Sequence, residues 1–165
     1  MISFLLFFCL ITCNTAEKKI RSDENSDKLI KDLKFLSGRL PGENWQQHLP
    51  PKFTAYQSFE TKDQLRKCIL LLKYQKGDRQ KMNLFLANLK INFSATSEIS
   101  TGILKTEAGQ WQTITIRSNK FISRVYALQM ADIIIWVQFT APNANAFAIY
   151  IVDAERYIQN FLLGS

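Results

Sequence analysis

The stretch Ile133-Ile134-Ile135-Trp136-Val137-Gln138-Phe139-Thr140 decides the fold, together with the segment beyond Ala141-Pro142-Asn143: Phe147, Tyr150, Ile151, Ala154, Tyr157, Ile158, Phe161 and Leu162 at three-and-four spacing. Residues 133–137 are apolar at both parities, which marks a central strand covered on both faces. Pro142-Asn143 breaks the chain. The spaced residues after it form one apolar stripe of a helix of about five turns, with Asp153, Glu155, Arg156, Gln159 and Asn160 outside the stripe. A helix of this kind must bury its stripe, and the economical partner is one face of a sheet.

Working back from this stretch, strands are expected at Ile103–Thr106, Trp111–Arg117 and Phe121–Met130, with turns at Gly109, Ser118-Asn119 and Ala131-Asp132. Cys68 to Gln75 predicts another strand. Lys76-Gly77-Asp78-Arg79 has the composition of a hairpin turn, after which Met82 to Phe93 returns as a strand. Short strands joined by short turns favour an antiparallel meander, because parallel neighbours need a crossover of about a dozen residues or more. Phe53 to Ser58 alternates as a strand does, and Pro41 to Lys52 is expected to be an irregular connection. Asn25 or Ser26 caps a first amphipathic helix through Leu29, Ile30, Leu33, Leu36 and Leu40. The expected architecture is α+β: an antiparallel β-meander sheet packed against a long C-terminal helix, with a short N-terminal helix, in two layers. It forms a single domain over residues 28–165. A sheet gripping a C-terminal helix is loosely similar to helix-grip ligand carriers and to photosystem-associated domains, folds that serve unrelated functions.

The N-terminus sets the location. Residues 1–13 are uncharged and apolar, and every charged side chain lies at or after Glu17. The run is too short to span a bilayer and has the shape of an export leader. Leu10-Ile11-Thr12-Cys13 resembles a bacterial lipoprotein signal, which implies removal of residues 1–12 and lipidation of Cys13. Residues 13–27 then form a polar tether to the domain. The competing cleavage comes after Ala16 and leaves a freely secreted domain. In a eukaryotic source the lipoprotein reading fails, and Asn92-Phe93-Ser94 becomes a glycosylation sequon. The resemblance implies an exported chain of the cell envelope, periplasmic or on the outer surface, held to the membrane through its lipid.

Three cysteines, of which only Cys68 survives either cleavage, exclude a disulfide-stapled fold. One histidine and one thiol fall short of a zinc site, so no metal and no cofactor are expected. His48 and Cys68 are the one conceivable catalytic dyad. No phosphate loop, nucleophile elbow or His-Glu-x-x-His motif occurs, and the expectation is a non-enzymatic domain. The formal charge of +7 is concentrated between Lys62 and Lys90, where eight basic residues face two acids. Lys73, Lys76, Arg79 and Lys81, on the expected hairpin, are the candidate contacts for an anionic lipid, envelope polymer or acidic protein. Export argues against nucleic acid. The alternatives are a hydrophobic ligand held between the sheet and the C-terminal helix, for which twelve Phe, five Tyr and three Trp supply a lining, and an undetected hydrolase.

Overall fold

The computed structural model describes residues 39–48 and 57–160. The leader, Cys13, the tether, nearly all of the expected N-terminal helix, most of the strand expected from Phe53, and Phe161 and Leu162 of the stripe lie outside the described residues. The elements are β1 (Trp45–Gln47), β2 (Gln57–Thr61), β3 (Ile69–Lys76), α1 (Arg79–Ser94), β4 (Glu98–Thr106), β5 (Gly109–Arg117), β6 (Ile122–Met130), β7 (Ile133–Ala141) and α2 (Ala144–Gln159). The strands form one sheet in the order β1-β2-β3-β7-β6-β5-β4, antiparallel at every joint.

β7 lies at the middle of the sheet and every one of its residues is buried. Its side chains alternate between two cores. Ile133, Ile135, Val137, Phe139 and Ala141 meet Ala146, Phe147, Tyr150, Ala154, Tyr157 and Ile158 of α2. Ile134 and Trp136 point the other way, to Met82, Leu86 and Leu89 of α1. Each large apolar side chain so buried contributes about 1.5–3 kcal/mol relative to exposure. The α+β sheet packed on a C-terminal helix thus stands as expected, and α1 covers part of its opposite face.

α1 replaces an expected strand. Met82, Leu86, Leu89 and the partly buried Phe85 and Phe93 keep helical spacing, but Leu84 and Ile91, 61% and 70% exposed, stand seven residues apart on the outward face. These two fill the phases a helical pattern should leave polar, and so conceal it. Lys76-Gly77-Asp78-Arg79 is accordingly a strand-to-helix junction and no hairpin. Asp78 caps the helix, its Oδ1 accepting from the Lys81 N–H at 2.8 Å. Gly77 is packed so closely that a Cβ there would come within 2.6 Å of Ile134 Cδ1, and its N–H donates to the Asp132 carbonyl at 2.7 Å.

The sixteen residues of α1 supply the crossover that the meander expectation denied. β3 and β4 run in the same direction, and α1 carries the chain from beside β7 to the far edge of the sheet. β4 to β7 then return as the expected meander. Two smaller corrections concern strand limits. Trp45–Gln47, expected to be irregular, pairs with β2 as an edge strand. β4 begins at Glu98 and not at Ile103, because its polar half, Ser100-Thr101-Gly102, is held in register by β5.

The acids of α2 also differ from expectation. Asp153 and Glu155, placed on the outer face by periodicity, flank the buried stripe and fasten the helix to the sheet on two sides. Trp45 Nε1 donates to Asp153 Oδ2 at 3.0 Å. Arg124 and Tyr126 Oη donate to Glu155 Oε1 at 2.8 and 3.1 Å.

Candidate anion-binding groove

The structure separates the four candidate cations of the sequence. Lys73 stands opposite Trp136 in the β3–β7 register and therefore on the α1 face. It is half-buried; that burial, and then the neighbouring Lys81 charge, hold its ammonium below the usual lysine range. Lys81, in the first turn of α1, donates from Nζ to the Lys76 carbonyl at 3.0 Å. Lys76 is opposite Ile133, on the α2 face, with Nζ 3.5 Å from Asp132 Oδ2. The fold thus brings Lys73 and Lys81 together, sends Lys76 elsewhere, and turns Arg79 into a groove.

That groove runs between α1 and the β4–β5 ladder and encloses about 680 Å³. Its helix wall is Arg79, Met82, Leu86 and Lys90, spaced at three and four residues so that they share one side of α1. Asn83 lies on the same side and accepts from Gln112 Nε2 at 3.4 Å, a bond from helix to sheet. Thr101, Gly102 and Ile103 of β4, Gln112, Thr113 and Ile114 of β5, and Leu128 and Gln129 of β6 complete the lining, with the β4–β5 turn at one end.

Arg79 and Lys90 are eleven residues apart on the helix, about 16 Å, and no acid lines the space between them. Uncharged amides and hydroxyls, which both donate and accept, occupy the intervening wall. The groove has no carboxylate, imidazole or thiol among its lining residues. The sequence carried no sign of Thr101, Gln112 or Gln129 as site residues. They converge only through strand register. Lys90 lies within the basic run but outside the four candidates, since its helical phase is invisible where the segment reads as a strand.

His48 and Cys68 do not form a dyad. Cys68 is fully buried against α2, its thiol 3.8 Å from the Ala146 carbonyl, and burial, helped by the Asp63 charge, pushes it up to about 12. His48 continues the β1 register opposite Ser58, its N–H donating to the Ser58 carbonyl at 2.8 Å, and its Nδ1 lies 3.0 Å from Glu60 Oε2 on the other face of the sheet. Glu60 is nearly buried and also meets Lys67 Nζ at 2.6 Å and Gln46 Nε2 at 2.8 Å.

Burial pushes the Glu60 carboxyl up, but the Lys67 and Gln46 hydrogen bonds with the Lys67 and His48 charges outweigh it and leave it below the ordinary value. A lowered folded value means that the stability Glu60 contributes is complete above the normal carboxylate range and is lost as pH falls through the folded value. Glu60→Gln should therefore cost about 1.5–3 kcal/mol near neutrality and almost nothing in strong acid. Urea midpoints of the two proteins across that range test this, and parallel curves would show that Glu60 is not held as a buried anion.

Among the described residues, no three His, Cys, Asp or Glu side chains are grouped to hold a metal ion, and no helix is long and apolar enough to cross a membrane. No protein-family model matches the chain, and no curated protein sequence matches it. Among solved structures the chain is similar to LpqN of Mycobacterium tuberculosis, described as involved in cell envelope biogenesis. The TM-score is 0.48 and the identity 10%, over 72% of this chain and 76% of that one, a distance at which the likeness carries no functional inference.

Proposed function

We propose that this chain is an exported, lipid-anchored, non-enzymatic binding domain of the cell envelope that holds an anionic partner in the α1–β4–β5 groove, with the Lys73–Lys81 pair as a second, separate basic spot. The observation that carries this reading is a groove bounded at both ends by cations and lined by no acid. Away from the groove, burial and then the nearby Lys81 charge hold the Lys73 ammonium below the usual lysine range. An anion seated beside that pair relieves its repulsion. Anionic lipid, envelope polymer and acidic protein share this chemistry.

Arg79→Glu with Lys90→Glu should weaken binding to inorganic polyphosphate and to anionic vesicles, and raised salt should mimic the change. Both side chains are exposed, so thermal stability should stay within about 0.5 kcal/mol of the parent. Unaltered affinity with an intact fold would reduce these cations to solubilising residues.

Lipidation of Cys13 is the second arm of the proposal. Several acyl chains, at about 0.8 kcal/mol per buried CH₂, hold a protein firmly where one chain is marginal. Expressed in a bacterial host, the chain should partition into detergent and lack residues 1–12, whereas Cys13→Ala should be soluble or unprocessed. A mature N-terminus at Glu17 without lipid mass would defeat the anchor and leave the groove untouched.

The hydrophobic-carrier alternative has less support. The space between sheet and α2 is taken up by aromatic contacts, with ring centroids 6.1 Å apart for Trp45–Tyr150, 5.6 Å for Phe59–Tyr157 and 5.4 Å for Phe139–Phe147.

A further inference from the structure

Among the described residues, the two edges of the sheet are unlike. β1 is three residues long, whereas β4 has nine, Glu98-Ile99-Ser100-Thr101-Gly102-Ile103-Leu104-Lys105-Thr106. Exposed edges invite strand addition unless they are short, bulged, interrupted by proline or charged. β4 has none of these devices along its middle. Its register with β5 is unbroken from Glu98↔Arg117 to Thr106↔Gly109, so there is no bulge, and its only charges stand near the two ends. Ile103 is 65% exposed.

We propose that β4 pairs antiparallel with β4 of a second copy of this chain about a two-fold axis at Thr101, giving a continuous sheet across a homodimer. The strand is self-complementary in this register. A two-fold axis normal to the sheet keeps matching faces together, so each residue must oppose one of its own parity. Ile99 belongs to the α1 face, and Thr101 and Ile103 share it by alternation. Centring the axis on Thr101 sets Thr101 against itself and Ile99 against the partner's Ile103, which covers the exposed isoleucine twice. Centring it on Gly102 would set Ile99 against the partner's Lys105.

The pairing also completes the groove. Both α1 helices fall on one face, antiparallel, because the axis is normal to the sheet. Each packs over β5, β6 and β7, so the helix axes stand about 24 Å apart, five strand spacings. The floor between them is β5 and β4 of each copy. Two half-open grooves become one trough, with Arg79 and Lys90 on each wall, suited to an extended anionic polymer that both copies grip at once. The strand pairing stands on β4 alone. Charge reversal at Arg79 and Lys90 tests the ligand reading without touching it.

The test uses the full chain in detergent, with Cys9 and Cys13 replaced by Ser so that buried Cys68 is the sole native thiol. Light scattering should give the mass of a dimer. Thr101→Lys, which sets like charges face to face at an exposed position, should halve that mass with an unchanged circular dichroism spectrum and melting temperature. On mild oxidation Thr101→Cys should cross-link to itself. Ile99→Cys and Ile103→Cys should each fail alone but cross-link when mixed. A monomeric parent overturns the proposal, and β4 amides protected from hydrogen exchange in that monomer would assign the edge to another segment of the same chain. A dimer insensitive to Thr101→Lys, with no Thr101→Cys cross-link, overturns it equally, by placing the contact on another surface.

Discussion

Trp136→Ala should lower the unfolding free energy by about 3–5 kcal/mol, a large part of the 5–15 kcal/mol typical of a domain. Trp136 is 1% exposed, sits on the central strand, and lies under α1 with its ring centroid 4.2 Å from that of Phe85. Truncation removes the indole from between sheet and helix and leaves a cavity that neither rigid element can close. Urea unfolding, followed by far-ultraviolet circular dichroism, should show the midpoint falling with the slope preserved. A loss below about 1 kcal/mol would mean that α1 is not fixed on the sheet, and the groove it walls would lose its shape with it.

The second large effect belongs to the opposite face. Ile158 is fully buried in the core beneath α2, whereas Ile151, two turns earlier on the stripe, only borders it. Ile158→Ala should cost about 2–5 kcal/mol, and Ile151→Ala distinctly less, because part of its surface is already in water. Thermal midpoints of both variants measure this. Changes under about 0.5 kcal/mol for both would make α2 peripheral, against its fastening by Trp45–Asp153 and Arg124–Glu155.

What the chain disclosed in advance depended on whether one periodicity ruled a segment. β7 was legible because residues 133–137 are apolar at both parities, and the observed strand is buried on both faces. α2 was legible because its stripe keeps three-and-four spacing from Phe147 to Leu162 and every position outside the stripe from Asp153 to Asn160 is polar, although Ile149 and Val152 stand exposed before them. α1 was not, because Leu84 and Ile91 give its outer face the apolar character of its inner one. That one misassignment turned a crossover into a hairpin and put Lys73, Lys76, Arg79 and Lys81 on a common tip. The structure scatters them over a strand, a junction and a helix. Among them Arg79 belongs to the groove, while Thr101, Gln112 and Gln129 came from segments whose only common property is the face their register assigns. Asp153 and Glu155 were misplaced for a related reason: the margin of a buried stripe is polar in sequence, yet it is where a helix meets the rim of its sheet.

The crossover through α1 sets the order in which the sheet can assemble. Each joint from β4 to β7 links strands adjacent in sequence, and β1, β2 and β3 likewise pair with their neighbours. The joint between the two groups is β3 on β7, where Lys76 meets Ile133 and Ile69 meets Thr140. Closing it brings together segments separated by all of α1 and the meander, so its loop-closure entropy must be met before any of its contacts help. Two locally folded halves waiting on one distant seam make a slow folder for its size, and until that seam closes the edge of β7 that receives β3 stays unpaired.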